Sequence, residues 1–385
     1  MQAMIMRDEI TGWRGLGCGT IQYQRQVGMA DIVRSTCDYE AWLRRQLGRA
    51  LVEKDLGVKY KKMCESPFAF LRATYWRWAE TVLDVCPEAA SAPKVLAVGD
   101  IHLENFGTWR DADGRLVWGV NDFDEAAEMP YALDLIRLAT SAMLAGKSAA
   151  PAGNVCTAIL RGYGKGVAAP RPIVLDRDHI WLRKQFAVSD KKRDKFWKKI
   201  DESTWTKAPA AYRAVLAAAM PARRVAFKTA RRSAGVGSLG RPRWIGVAEW
   251  RGAPVVREAK AVLPSSWLRA RGESSTRIRC GEIANGRYRA PDPWYHLSKT
   301  VVVRRLSPNN RKIEAGDDPA VLLSGEMLEL MGFDLACAHL GGANRAGAIK
   351  RDLERRKGAW LQELADRMAA SVEAERRQGA TIPCS

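Results

Sequence analysis

The stretch KVLAVGDIHLENFGTW, residues 94–109, constrains the fold more than any other part of the chain. KVLAV reads as a short buried strand that stops at Gly99-Asp100, and Asp100, His102, Glu104 and Asn105 then arrive within six positions. So much polar chemistry at the end of a buried strand points to a cleft. The path beyond is also legible: NFGTW and LVWGVNDF flank the turn RDADGR and read as a hairpin, because Asp113-Gly114 between two apolar runs is a strong turn signal. After Pro130, YALDLIRLATSAMLAG reads as a helix with an apolar stripe and a terminal glycine.

Around this centre the chain alternates in character. Asp38 to Val52 has helical spacing, and SPFAFLRATYWRWAETVLDV, from Ser66 as cap and Pro67 in the first turn, predicts a second helix. Pro87 and Pro93 bracket a connector. Residues 180–200 predict a basic helical segment with Trp181, Phe186, Phe196 and Trp197 interleaved, which we read as an amphipathic helix burying its rings rather than a grip on RNA. From Arg224 the pattern turns to strands: RVAFKTA, RPRWIGVAEW, APVVREAKAV and WYHLSKTVVVRRL, with Trp250-Arg251-Gly252-Ala253 as a turn. Helical spacing returns from Ala320. The divisions expected are 1–29, an N-terminal extension without clear period; 30–93, helical; 94–223, a catalytic helical lobe with the hairpin; 224–319, a β-rich lobe; and 320–385, C-terminal helices.

Composition narrows the class. With 385 residues, 47% of them hydrophobic, the chain can bury the cores of two lobes, and the fold class is α+β. No apolar run reaches the length of a membrane span, and the N-terminus lacks the order of a secretory signal, so a cytoplasmic location is expected. Eight cysteines without a C-x-x-C pair, and only four histidines, argue against zinc and for reduced, mostly buried thiols. A formal charge of +19 marks a surface that attracts polyanions.

Asp100 and Asn105 stand five residues apart, a spacing at which a carboxylate can orient a hydroxyl while an amide oxygen holds Mg2+ on phosphates. Seventeen residues on, NDFDE supplies Asp122 and Asp124, which point to one side if the strand persists, so either could be the principal hard-oxygen ligand. Twelve residues beyond Asp122, Asp134 sits in an apolar helix and needs buried donors, which backbone amides of the polar loop would supply.

GDIHLENFG, NDFDE and DLIRLA together resemble the catalytic half of the protein-kinase-like superfamily, especially its aminoglycoside and choline phosphotransferase branch, and more closely the bacterial domain-of-unknown-function family 2252. Tyr60 departs from that family's pattern, where a histidine is expected. The resemblance, over most of residues 30–350, implies ATP and Mg2+ as cofactors and a hydroxyl-bearing acceptor. It implies Asp100 as catalytic base with His102 shaping the loop, Asn105 and Asp122 as metal ligands, and Asp134 as a structural brace. Kinases place a glycine-rich turn and a phosphate-binding lysine before the catalytic loop, whereas the candidates here follow it. They are GVGSLG, with Gly235, Gly237, Ser238 and Gly240, and Lys260 on the next strand, which Glu258 on the same face could pair instead. The expectation is a two-lobed, circularly permuted kinase-like fold. Arg304, Arg305 and Arg311 are candidates for holding phosphates, or ordinary surface charges. AMP transfer, a nucleotide-binding pseudokinase and a basic nucleic-acid-binding protein are the alternatives, and a plainer reading makes the loop and NDFDE solvated turns.

Overall fold

Asp31 opens the first helix, Ile32–Leu47, by accepting a hydrogen bond from Arg34 N at 2.8 Å. The structure is a computed structural model that describes residues 31–146, 152–316 and 318–379; the expectation for 1–29, and Cys18 and Cys384, lie outside them. A further helix, Glu53–Glu65, follows the first, and its buried face holds Asp55, Leu56, Lys59 and Met63. Two of those four positions are charged, which hides the apolar period. The single helix expected over 66–85 is two, Pro67–Ala73 and Tyr75–Val85. Ser66 caps the first through Ala69 N at 3.1 Å, and the break falls at Thr74, whose hydroxyl bonds back to Phe70 O at 2.7 Å.

Strand Lys94–Ala97 does not stand alone: it pairs antiparallel with Ala127–Pro130, Lys94 opposite Pro130. Between them lies the hairpin Phe106–Arg110 and Leu116–Val120, joined at its outer edge by Ile173–Val174. The helix Tyr131–Ala145 is covered on every side rather than along a stripe, with Asp134, Arg137, Thr140 and Ser141 all buried. Two long C-terminal helices enclose this region: Gly325–Leu340 against Ala152–Ala168, and Trp360–Gly379 against Tyr131–Ala145.

The strand-rich part forms one antiparallel sheet of five, in the order Lys228–Arg231, Arg243–Trp250, Ala253–Ala261, Val301–Leu306, His296–Ser298. Arg251 and Gly252, at φ 50° and 80°, make the tight turn between the two longest strands. Alternation sorts the side chains. Trp244, Ala259, Val301 and Val303 pack with Leu216 of helix Ala210–Ala218, while Arg243, Ile245, Glu258, Lys260 and Arg304 fall on the opposite face by register. The basic segment is two helices, Ile180–Gln185 and Asp190–Asp201, interrupted after Phe186. Leu182, Phe186 and Ile200 are buried, Phe196 and Trp197 half-buried against the sheet, and the lysines of the second helix exposed. The fold is thus α+β with three antiparallel sheets among the described residues. Among the same residues no helix is long and apolar enough to cross a membrane. Cys86, Cys156, Cys280 and Cys337 are buried free thiols, whereas Cys64 departs from the expected reduced state in being disulfide-bonded.

Candidate active site

The chain turns sharply after Lys94–Ala97. Gly99 has φ +81°, and a Cβ there would stand 2.4 Å from Glu125 O and 2.7 Å from Tyr75 Oη, so both conformation and space require glycine. Asp134, fully buried, accepts Val98 N at 2.7 Å and Gly99 N at 3.0 Å, and His339 Nε2 lies 2.9 Å from it. That carboxylate therefore fixes the turn that presents Asp100. His102 Nδ1 accepts Glu104 N at 3.2 Å and starts the short helical turn Leu103–Asn105. Burial, Arg72 and Lys312 hold the His102 imidazole well below its usual range, so it is neutral and suited to that accepting role. Asn105 Nδ2 donates to Asp100 O at 2.8 Å and Asp122 O at 3.4 Å, tying the loop to the strand end that carries NDFDE.

Lys260 reaches this group from the five-stranded sheet. Its Nζ lies 3.1 Å from Asp122 Oδ1 and 2.7 Å from Asp124 Oδ1. Glu258 does not compete for it; it is buried beneath Arg232, Arg243 and Arg304, with Arg243 Nη1 at 3.0 Å and Arg304 Nε at 2.7 Å. Burial opposes the charge of Asp122, but Lys260, Lys312 and Arg304 outweigh it and hold that carboxyl far below the carboxylate range. Burial and the neighbouring Asp122 push Asp124 up to about 6. Asp122 is the anion of the pair and Asp124 the one poised to take a proton.

The Gly235–Gly240 loop, between strands Lys228–Arg231 and Arg243–Trp250, lies directly on Asp100: a Cβ on Gly237 would be 3.2 Å from Asp100 Oδ2. Gly235 and Gly240 have φ of +76° and +92°. Ser238 Oγ accepts from Arg243 Nη2 at 2.7 Å. Asp100, His102, Asn105, Asp122, Asp124 and the glycine loop thus line one cavity of about 70 Å3, room for a few waters.

Several residues here escaped the sequence reading. Arg137, one turn after Asp134 in the apolar helix, is fully buried and forms an ion pair with Asp100 through Nη2, which also donates to Leu71 O at 2.9 Å. Its signal was a cation in an apolar helix. Burial raises the Asp100 carboxyl while Arg137 opposes. Arg72 pairs with Glu104 at 2.6 Å and Arg241 with Glu125 at 2.8 Å. Lys59 is buried with its Nζ 3.3 Å from Gly237 O and 4.5 Å from the Trp76 ring centroid. Burial, chiefly, and Arg241 lower its ammonium to about 7. Of the phosphate candidates, Arg304 serves Glu258, Arg305 lies 3.0 Å from Asp292, and Arg311 Nη1 donates to the carbonyls of Gln185 and Ala187.

Asn105, Asp122 and Asp124 offer hard oxygens of the kind Mg2+ takes together with phosphate and water, one or two carboxylates being the usual protein share. Among the described residues no three His, Cys, Asp or Glu side chains are grouped to hold a metal unaided.

Residues 49–169 match the model of a family described as uncharacterized protein conserved in bacteria (DUF2252). The matched stretch contains Asp100, Asn105, Asp122 and Asp134, and excludes the glycine loop and Lys260. No curated protein and no solved structure matches the chain.

Proposed function

We propose that the chain is an ATP- and Mg2+-dependent phosphotransferase of kinase-like type that acts on a hydroxyl-bearing acceptor, with the nucleotide lobe following the catalytic loop in sequence. The observation that carries this reading is the ion pair of Lys260 with Asp122 across the cleft. It joins the third strand from one edge of the five-stranded sheet, whose first two strands flank the glycine loop, to the strand end beside Asp100 and Asn105. In kinases a lysine on the third strand, a glycine loop, an aspartate base, an asparagine and a metal-binding aspartate share one site.

Each side chain then has work that its surroundings allow. Asp100 accepts a hydrogen bond from the acceptor hydroxyl and orients its oxygen; Arg137 fixes the carboxylate from behind, and Asp134 fixes the backbone that carries it. Lys260, released from Asp124, donates to phosphate oxygens. Asn105 and Asp122 hold Mg2+, which supplies neutralisation of the phosphate charge. With Gly237 on Asp100 and 70 Å3 of space, a triphosphate enters only if the glycine loop rises.

The reading is tested by pairing two variants. Asp100→Ala lowers turnover by about a hundredfold to ten-thousandfold and leaves nucleotide binding in place, whereas Asp122→Ala removes Mg2+-dependent nucleotide affinity. Incubation with γ-labelled and α-labelled ATP in a metabolite extract separates phosphoryl from AMP transfer. Full turnover in both variants, or no thermal response of the wild type to ATP with Mg2+, overturns the proposal.

A further inference from the structure

Asp122 and Asp124 face the cleft, and their neighbours Asn121 and Phe123 line a second cavity of about 340 Å3. Its volume is in the range of small-molecule sites. Arg232, Arg304, Arg305 and Lys312 stand on its wall, with Asp292 and Glu314 as the acidic side chains there. One carboxylate, Glu258, answers three guanidiniums, those of Arg232, Arg243 and Arg304. Arg232 engages it through Nη1 and Arg304 through Nε, so each keeps further N–H groups for another acceptor. Among the described residues no carboxylate oxygen lies within ion-pair distance of Lys312 Nζ.

The neutral groups of the same wall are also incomplete. Asn121 Oδ1 and Asn310 Oδ1 are buried acceptors without a donor, and Arg289 Nε and Arg305 Nε are buried donors without an acceptor. Buried polar atoms of this kind are normally paired, so a cavity that gathers four of them asks for an occupant that pairs them. Trp109, Phe123 and Tyr295 complete the wall with ring surface.

We propose that this cavity binds a small molecule that bears a phosphate or carboxylate together with hydroxyl groups. The anion lies against Arg304, Arg305 and Lys312, and the hydroxyls donate to Asn121 Oδ1 and Asn310 Oδ1. The site shares Lys312 with the Asp100 cleft, whereas Arg304, Arg305, Asn121 and Asn310 line this cavity and not that cleft, and it does not rest on the phosphotransfer reading.

The test uses the full chain, without nucleotide or added metal, by thermal shift and calorimetry. The probes are glucose 6-phosphate, gluconate and glucose, which share a polyol and differ in carrying a phosphate, a carboxylate or no charge. Either anionic probe binds saturably and raises the melting temperature, the tighter one naming the anion, and glucose does neither. Asn310→Leu and Asn310→Asp, at a half-buried position on the wall, weaken binding about tenfold or more, by filling the cavity and by adding a like charge. Asp100→Ala leaves it unchanged, which keeps this result independent of ATP turnover, and Asp122→Ala, which removes a carboxylate that acts on Arg304 and Lys312, does not weaken it. The proposal is overturned if neither anion binds, if glucose binds equally, if both Asn310 variants retain wild-type affinity while folded by circular dichroism, or if Asp122→Ala abolishes binding.

Discussion

Glu258 holds the inner face of the sheet together: it is fully buried and its two oxygens serve guanidiniums from three segments. Burial acts to raise its pKa, and Arg243, Arg304 and Arg232 overcome that and hold the carboxyl well below its usual range. A folded-state pKa below the unfolded value stabilises the fold above the unfolded pKa, and that contribution is lost as pH falls through the folded pKa. Glu258→Gln should therefore cost about 3–5 kcal/mol at neutral pH, since it leaves buried Arg243 and half-buried Arg232 and Arg304 without their anion. Urea denaturation of the two proteins from pH 7 downward should show the gap closing only in strong acid; a gap that is constant with pH would assign the loss to packing instead. At this scale the sequence was legible where placement is set locally. Asp100, Asn105 and Asp122 were recognisable by spacing because one strand end and one hairpin place them. Arg137 and Lys59 were not, because their partners Asp100 and Gly237 lie 37 and 178 residues away.

Helix Glu53–Glu65 fastens the glycine loop along its length. Asp55 accepts from Ser233 Oγ at 3.0 Å, Lys59 donates to Gly237 O at 3.3 Å, and at its entry Val52 N donates to Gly240 O at 2.9 Å. Because the Lys59 ammonium is held near 7, against about 10.5 unfolded, the unfolded chain binds the extra proton between those values, so this residue's contribution to stability rises with pH across that window. Lys59→Met should remove that rise, and the stability difference between variant and wild type, measured by denaturation at pH 7 and pH 9, should shift in favour of the wild type at the higher pH. No change in that difference would place the Lys59 titration elsewhere. A second element-scale prediction concerns helices Ala152–Ala168 and Gly325–Leu340. A Cβ at Gly162 would sit 1.8 Å from Glu329 O, and one at Gly332 would sit 2.2 Å from Ile159 O. Backbone faces backbone there, so Gly332→Ala must part the helices and should destabilise by about 1–3 kcal/mol or more, lowering the melting temperature; an unshifted melt would show that the pair can slide. Elements with a clean period or a turn dipeptide, such as Tyr131–Ala145 and the Asp113-Gly114 hairpin, could be read from sequence. Glu53–Glu65 could not, since charge occupies its buried face, and Ala127–Pro130 is a strand only because Lys94–Ala97 lies beside it.

At the scale of the whole molecule, what matters is how the sheet is joined to the helical part, and no motif announces that. The motif order places GVGSLG and Lys260 after the loop that carries Asp100, but only their packing shows that residues of GVGSLG line its cavity and that Lys260 pairs with Asp122, which lines it too. Lys260 makes one tie across that junction; Arg241 with Glu125 makes another, and Glu125 also takes Ser265 Oγ at its carbonyl and Ser266 N at its carboxylate, at 2.9 and 2.6 Å. The Glu125 ties do not involve Lys260, so they remain when Lys260 is replaced. Its loss leaves Asp122 and Asp124 facing each other with Asp124 already pushed up to about 6 by its neighbour's charge. Lys260→Met should therefore lower stability by about 3–5 kcal/mol at alkaline pH, where both carboxylates are charged, and less at pH 5, where Asp124, raised further by the loss of the ammonium that lowers it, carries a proton and the repulsion is gone. A divalent cation between the same two carboxylates replaces the missing charge, so millimolar Mg2+ should raise the melting temperature of Lys260→Met more than that of the wild type, whose ammonium competes for the position. Ca2+ in place of Mg2+ tests ligand geometry, and an added Asp122→Asn change should abolish the response. Equal Mg2+ responses of wild type and Lys260→Met would mean that the two aspartates do not form the cation's site, and the assignment of Asp122 would fall with them.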